Sequence, residues 1–259
     1  MQAKLNEFVA GARDTPGAGA FFIDFDGTLS KIVADPASAT PVPGASQVLV
    51  TLAASYRTVA LVTGRRASWL ADVVDASGVR YLGLYGAEEM IDGRTVQPVE
   101  ADRYRSSASR LARDAEALIT TQGLAGCEVE FKDLAVSIHF RLAPDSRERL
   151  TTWAMEAAPH RGFVATLGRM VVELRPKDVS KANALKKIAG EQKVEWVVVA
   201  GDDQTDVEMM QAARQLFGDR SLCIGIASLE EPTEMAAVAD FRVDGPEDFV
   251  ETLELFVIR

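Results

Sequence analysis

The sequence is poor in the residues that mark secreted, membrane-bound or nucleic-acid-binding proteins. Two cysteines and two histidines stand among 259 residues. Cys127 and Cys223 lie far apart and form no C-x-x-C pair, so a disulfide framework or a structural zinc site lacks its material, and both read as small buried residues. No apolar run approaches the roughly 18 residues needed to cross a bilayer. The opening stretch, MQAKLNEFVAGARDTPGAGA, has no uninterrupted apolar segment of signal-peptide length. A cytoplasmic location without membrane attachment is therefore expected. The net charge is -10, with no basic cluster, which excludes nucleic acid and anionic membrane as partners. An anionic small molecule is still admissible, because a few local cations govern a site whatever the global charge. Solenoid repeats and low-complexity tracts are also missing, and the proline-rich DPASATPVPGA (35–45) is too short to be a domain.

What is present is an ordinary globular composition, 47% hydrophobic and 25% charged, with a patterned order of elements. AFFID (20–24), TVALVT (58–63) and YLGLYG (81–86) read as buried strands, while 44–55 and 66–76 carry helical spacing. This βαβα order predicts a parallel sheet covered by helices on both faces. The signal returns after residue 180: helix 181–189, strand 196–203, helix 205–214, strand 222–228, a short helix, strand 239–243 and a closing helix from Pro246. Between them the period changes. A helix over 102–121 precedes CEVEFK (127–132) and AVSIHFR (135–141), which alternate like antiparallel strands; a helix over 145–158 precedes a second hairpin, 162–168 and 169–175, turning at Gly168. The fold class expected is α/β: a Rossmann-like core of residues 1–100 and 176–259, with an inserted α+β layer of residues 101–175.

The unusual polar residues fall at the carboxyl ends of core strands, where open parallel sheets form their sites. FFIDFDGTLS (21–30) carries Asp24 and Asp26 out of the first strand, Thr63-Gly64-Arg65 follow the second, and GDDQTD brings Asp202, Asp203 and Asp206 after a late one. Carboxylates at i and i+2 repel each other. Converging Asp24, Asp26 and Asp202 would supply hard oxygen ligands for Mg²⁺, which offsets that repulsion. A calcium loop is the alternative for 24–35, but its register demands glycine where Leu29 stands and a helix where a strand stands. Asp-Gly could also be a plain turn, and Asp203 to Asp206 a helix cap.

The ordered set DFDGT, VTGR, a lysine opening a helix (Lys181) and GDDQTD resembles the four motifs of the haloacid dehalogenase superfamily of phosphotransferases. The resemblance implies that Asp24 is the nucleophile and Asp26 the general acid/base. It implies that Thr63 and Lys181 hold the phosphoryl group, with Gly64 and the amides near Gly27 assisting. Mg²⁺ would be held by Asp24, the Asp26 carbonyl and Asp202. Asp203 and Asp206 would support them, Asp206 by orienting Lys181 or metal-bound water. The inserted layer is similar to the family's C2-type cap, which closes over the leaving group.

Polar residues of that layer bear on the substrate. Glu130 and Lys132 share one strand face, as do His139 and Arg141, and the second hairpin ends with Glu173 and Arg175. Such a face is also what cross-strand ion pairs on a solvated strand look like. YGAEE, EFKDLAVSIHFR, MVVELRP and GDDQTD together resemble trehalose-6-phosphate phosphatases. That resemblance implies sugar contacts from Glu130, Lys132, Arg141 and Glu173, to which Arg65 is added. Ala182 and Val207 depart from it, standing where that family usually has Gly and Glu. The function expected is Mg²⁺-dependent hydrolysis of trehalose 6-phosphate by a monomer, with a small-molecule sugar phosphate as its partner. The alternatives are another glycosyl phosphate (sucrose 6-phosphate, glucosylglycerol phosphate, mannosyl-3-phosphoglycerate) and a non-catalytic sugar-phosphate sensor.

Overall fold

The structure is a computed structural model that describes residues 2–33, 35–168, 170–228 and 231–258. The chain divides into two compact units, residues 1–96 with 180–259, and residues 97–179. In the first unit, helix α1 (Gln2–Asp14) precedes strand β1 (Gly19–Ile23), followed by α2 (Ala45–Ser55), β2 (Thr58–Val62), α3 (Ala67–Val74) and β3 (Arg80–Gly83). A hairpin, β4 (Glu88–Ile91) and β5 (Arg94–Val96), closes the first segment.

The second unit holds α4 (Ala101–Thr121), β6 (Glu128–Phe131), β7 (Val136–His139), α5 (Arg147–Ala157), β8 (Phe163–Gly168) and β9 (Val171–Pro176). The first unit then resumes with α6 (Lys181–Gln192), β10 (Trp196–Gly201), α7 (Gln204–Phe217), β11 (Ser221–Ile226), the single turn α8 (Met235–Val238), β12 (Phe241–Val243) and α9 (Pro246–Glu254). Among the described residues no helix is long and apolar enough to cross a membrane.

The eight strands of the first unit run β12-β11-β10-β1-β2-β3-β4-β5. Every pair from β12 to β3 is parallel, and β4 and β5 are antiparallel additions at one edge. β1 can sit at the centre because all five of its residues are apolar or glycine and all are buried. Successive side chains leave opposite faces of a strand. Phe21 and Ile23 therefore join Val198 and Ala200 in one core layer, packed with Leu49 and Leu52 of α2 and Phe249 and Leu253 of α9. Ala20 and Phe22 join Val197 and Val199 in the other, against Leu185 and Ile188 of α6 and Met209 and Met210 of α7. Burial on both faces is what makes these strands uniform apolar runs in the sequence. The second unit is one four-stranded antiparallel sheet, β6-β7-β9-β8, backed by α4 and α5 around Leu111, Val136, Ile138, Phe140 and Leu150.

The α/β class is as expected from the sequence, and three local differences have physical causes. The β4–β5 hairpin goes unrecognised because EEMI and RTV are mostly polar and exposed, yet Asp92-Gly93 at its turn carries the left-handed φ values (49° and 73°) of a two-residue hairpin loop. The strand expected over 81–86 stops at Gly83, because Leu84, Tyr85 and Gly86 all take left-handed φ values. β7 ends at His139, so Arg141 stands in the following turn rather than on the strand face. Arg169, expected to open the last hairpin strand, lies outside the described residues.

Asp240 shows how polar groups tie the edge of the large sheet together. It accepts from Lys4 Nζ of α1 at 2.6 Å, from the Cys223 amide of β11 at 3.0 Å, and from the Arg214 guanidinium of α7. Burial opposes its ionisation, but these three partners hold its carboxyl below the usual range. Asp240→Ala should lose about 1–3 kcal/mol at neutral pH, the range for charge-assisted hydrogen bonds. A depressed carboxyl contributes above its unfolded pKa and loses that contribution as pH falls through its folded pKa. The gap between wild type and variant in urea unfolding should be full at pH 7 and shrink below about pH 4; a gap independent of pH would contradict the assignment.

Candidate active site

β1 lies between β10 and β2, with Ile23 level with Ala200 on one side and Leu61 on the other. The residues that follow these strands therefore emerge together at their carboxyl ends. Asp24 extends the ladder by donating its amide to the Ala200 carbonyl at 3.0 Å. Asp24, Thr63, Lys181, Asp202 and Asp206 are all buried. Lys181 reaches the group from the first position of α6, where the Ser180 hydroxyl accepts from the Asn183 amide and fixes the helix start. Its ammonium donates to Asp24 Oδ1 at 2.6 Å and to Asp206 Oδ1 at 2.8 Å.

Asp203 and Asp206 form a capping box at the start of α7, in which each side chain accepts from the other's amide. Asp203 Oδ1 also accepts from the Thr205 hydroxyl, at 2.7 Å, and Asp206 Oδ2 from the Asp202 amide, at 3.0 Å. The cap and the site are thus one structure. The box fixes Asp206 so that its second oxygen faces Lys181.

The charges do not balance within this group. Burial pushes the Asp24 carboxyl up to about 6 despite Lys181, with Asp203 and Asp26 adding repulsion. Burial and the neighbouring Asp24 charge likewise raise Asp202, and burial raises Asp206 against the pull of Lys181. Burial opposes the Lys181 charge too, but Asp206 and Asp24 hold its pKa well above the ordinary lysine value. Carboxylate oxygens of Asp24, Asp202 and Asp206 lie within 4.8 Å of one another. Hard oxygen donors carrying uncompensated negative charge fit a hard divalent cation. Since both Asp206 oxygens already serve Lys181 and main-chain amides, Asp24 and Asp202 are the side chains suited to direct ligation.

Gly27, expected among the phosphoryl contacts, stands in the loop that follows Asp26. Its amide donates to the Ser30 carbonyl at 2.8 Å, inside its own loop. Its φ of +77° and its empty side-chain position matter as well, since a Cβ there would lie 2.2 Å from Asp202 Oδ2. Gly64 is needed for the same kind of close approach: a Cβ would come within 2.8 Å of the Tyr85 hydroxyl. Thr63 Oγ1 accepts from the Arg65 amide at 3.2 Å.

Arg65, expected on the sugar, instead grips Asp26 through two 2.6 Å bonds. Nothing in VTGR announces this, because it depends on where Asp26 stands after a different strand. Two further supports escape sequence reasoning. Glu88 accepts from the Ala67 amide at 2.8 Å and from Arg66 Nε at 3.0 Å, capping α3 behind the Thr63 loop. The Tyr85 amide donates to the Thr63 carbonyl at 2.8 Å. YGAEE is the available signal for both.

In the second unit, sheet register lines up Glu130, Ser137, Glu173 and Thr166 across β6, β7, β9 and β8. Lys132 Nζ stands 3.2 Å from Glu173 Oε1 and 3.6 Å from Glu130 Oε2. Ser137 donates to Glu173 at 3.0 Å, and His139 Nε2 pairs with Glu130 at 3.0 Å, a bond that lowers the Glu130 pKa. Glu130, Lys132 and Glu173 are thus brought together, whereas Arg141 is exposed in the turn beyond His139.

The charge imbalance at Asp24 and Asp202 has a consequence for stability. A carboxylate whose pKa is raised in the folded state destabilises that state when ionised. Asp202→Asn should raise the melting temperature of metal-free protein by a few degrees, as roughly 1 kcal/mol would. Millimolar Mg²⁺ should raise the melting temperature of wild type and leave that of Asp202→Asn nearly unmoved. Equal Mg²⁺ shifts in both proteins would place the cation elsewhere.

Comparison with known proteins agrees with this arrangement. The protein-family model described as Trehalose-phosphatase matches residues 22–246. An uncharacterized glycosyl hydrolase of Mycobacterium tuberculosis is 35% identical over 230 residues, 83% of this chain but 16% of that protein, so the chain spans only a small part of that relative. A probable trehalose-phosphate phosphatase of Sinorhizobium fredii is 33% identical over 208 residues, 77% of this chain and 75% of that one. Among solved structures, the C-terminal domain of a Candida albicans trehalose-6-phosphate phosphatase superposes with a TM-score of 0.78 at 19% identity, over 97% of this chain and 96% of that one, a likeness of fold. With a family match that runs from β1 to the start of α9, the chain belongs to the trehalose-phosphatase family.

Proposed function

We propose that the protein is a Mg²⁺-dependent phosphatase that hydrolyses trehalose 6-phosphate to trehalose and phosphate. The observation that carries the reading is the buried Asp24–Lys181 pair at the end of the central strand, with Asp26 two residues further on. A buried carboxylate beside a fixed ammonium is placed to attack an electrophile that brings its own negative charge. In the first step an Asp24 oxygen forms a bond to phosphorus as the bond to the sugar oxygen breaks, and the carboxyl of Asp26 gives its proton to that departing oxygen. In the second, water attacks the phosphorus, gives a proton to the Asp26 carboxylate, and releases phosphate with Asp24 restored as a carboxylate. Lys181 holds the phosphoryl oxygens electrostatically, and the Thr63 hydroxyl donates a hydrogen bond to them. Mg²⁺, when held by Asp24, Asp202 and the Asp26 carbonyl, supplies further charge neutralisation at the phosphoryl group.

The choice of sugar rests on the second unit. The row of Glu130, Ser137 and Glu173 offers acceptors and a hydroxyl at the spacing of paired strands, with Lys132 set among them. Vicinal sugar hydroxyls suit such mixed donors and acceptors. The identity to a probable trehalose-phosphate phosphatase favours the disaccharide over other glycosyl groups.

Phosphate release from trehalose 6-phosphate, sucrose 6-phosphate and p-nitrophenyl phosphate tests both parts. Glu130→Ala and Glu173→Ala should lose from a few-fold to about a hundredfold in kcat/KM on trehalose 6-phosphate, about 0.5–3 kcal/mol per contact. Both should hydrolyse the small aryl ester almost as wild type does. Equal losses on all three esters would contradict sugar recognition by this face. A wild-type preference for sucrose 6-phosphate would move the assignment to that substrate.

A further inference from the structure

Arg65 is held from three directions, and each contact restricts a different motion. Its Nε donates to Asp26 Oδ2 and one terminal nitrogen to Asp26 Oδ1, both at 2.6 Å. The other terminal nitrogen donates to the Pro36 carbonyl. Its Cζ lies over the Trp69 ring at 4.1 Å from the centroid, with Phe25 edge-on to that ring. Asp26 itself is partly open, its side chain 39% exposed against 19% for Arg65. An ion pair this accessible adds little to stability. Its two short bonds and its contact with the Trp69 ring confine the carboxylate to one orientation, which is a matter of geometry more than of folding energy.

A forked grip of this kind uses one lone pair on each Asp26 oxygen and leaves the outer pair of each unused. The carboxyl group cannot turn about its χ2 angle without breaking both bonds, yet a proton carried on an outer lone pair can still pass to an ester oxygen approaching from that side. We propose that Arg65 is a positioning residue that aims the Asp26 carboxyl at the departing ester oxygen, and that it is not a sugar contact. This rests on the phosphatase reading, in which Asp26 passes its proton to that oxygen as the Asp24–phosphorus bond forms. The Pro36 carbonyl and the Trp69 ring keep the guanidinium from following Asp26 if the carboxylate shifts.

The test compares three esters that differ in sugar and in leaving group. Arg65→Lys keeps the charge and loses the fork; Arg65→Gln loses the charge and the fork. Each is assayed with Mg²⁺ on trehalose 6-phosphate, on glycerol 3-phosphate, which has no sugar, and on p-nitrophenyl phosphate, whose leaving group departs without a proton. kcat/KM is the quantity to compare, because it covers only steps up to loss of the leaving group. Both variants should lose about 10- to 100-fold on the two alkyl esters and less than about threefold on the aryl ester, as misplacement of a proton donor predicts. The melting temperatures should stay close to that of wild type.

Loss confined to trehalose 6-phosphate would make Arg65 a sugar contact and overturn the inference. Equal loss on all three esters, or full rescue by Arg65→Lys, would overturn it in favour of a structural or purely electrostatic role. Wild-type protein inactive on every ester would refute the phosphatase reading, and the role of Arg65 with it. That result is distinguishable because it does not depend on the variants.

Discussion

A single buried lysine faces more negative charge than it can neutralise. Lys181 bonds directly to Asp24 and Asp206, with Asp202 and Asp203 close behind, and all five groups lie at the carboxyl ends of β1 and β10 or the helix starts beside them. Such a cluster is unfavourable in isolation, since burial raises the pKa of Asp24, Asp202 and Asp206. It becomes sensible when a divalent cation enters between Asp24 and Asp202. On the proposed reading, the imbalance is the source of affinity for metal, and with metal bound the site accepts an anionic phosphoryl group.

The rest of the first unit holds these charges where they are. Two apolar layers pin β1 between β10 and β2, so Asp24 cannot retreat. The capping box of α7 turns Asp206 toward Lys181, and the Ser180 cap sets the first residue of α6. Gly27 leaves room for Asp202, and Gly64 for Tyr85. The left-handed run of Leu84, Tyr85 and Gly86 locks the Thr63 loop from the other side by main-chain bonds to Thr63 and Arg65. Strained backbone persists only where surrounding structure enforces it, and here it is enforced against the loop that carries Thr63.

Much of this is legible in the sequence, for a physical reason. Strands buried on both faces must be apolar throughout, so AFFID and WVVVAG stand out, and the charged residues that break the runs mark the strand ends. Asp24, Asp26, Thr63 and Asp202 could be placed from that alone, and the order of motifs added Lys181. Less legible was anything that depends on side-chain direction. Arg65 follows Gly64 as a sugar ligand might, but its fork meets Asp26 only because β1 and β2 are neighbours and Trp69 supplies a ring to lie over. Gly27 reads in the sequence as an amide donor to phosphate, and what its spacing does not announce is that its missing Cβ leaves room for Asp202. Arg141 shares a strand face with His139 in the sequence pattern, but the strand ends two residues before it.

The central claim is that Asp24 becomes covalently phosphorylated while the neighbouring cations hold the charge. Borohydride reduces an acyl phosphate to an alcohol, so an aspartyl phosphate quenched during turnover becomes homoserine, a change visible by mass spectrometry. Wild-type protein mixed with trehalose 6-phosphate and Mg²⁺, quenched in the steady state and reduced, should carry homoserine at position 24 and nowhere else. Active enzyme that shows unmodified aspartate at position 24, or homoserine at another position, would contradict the account.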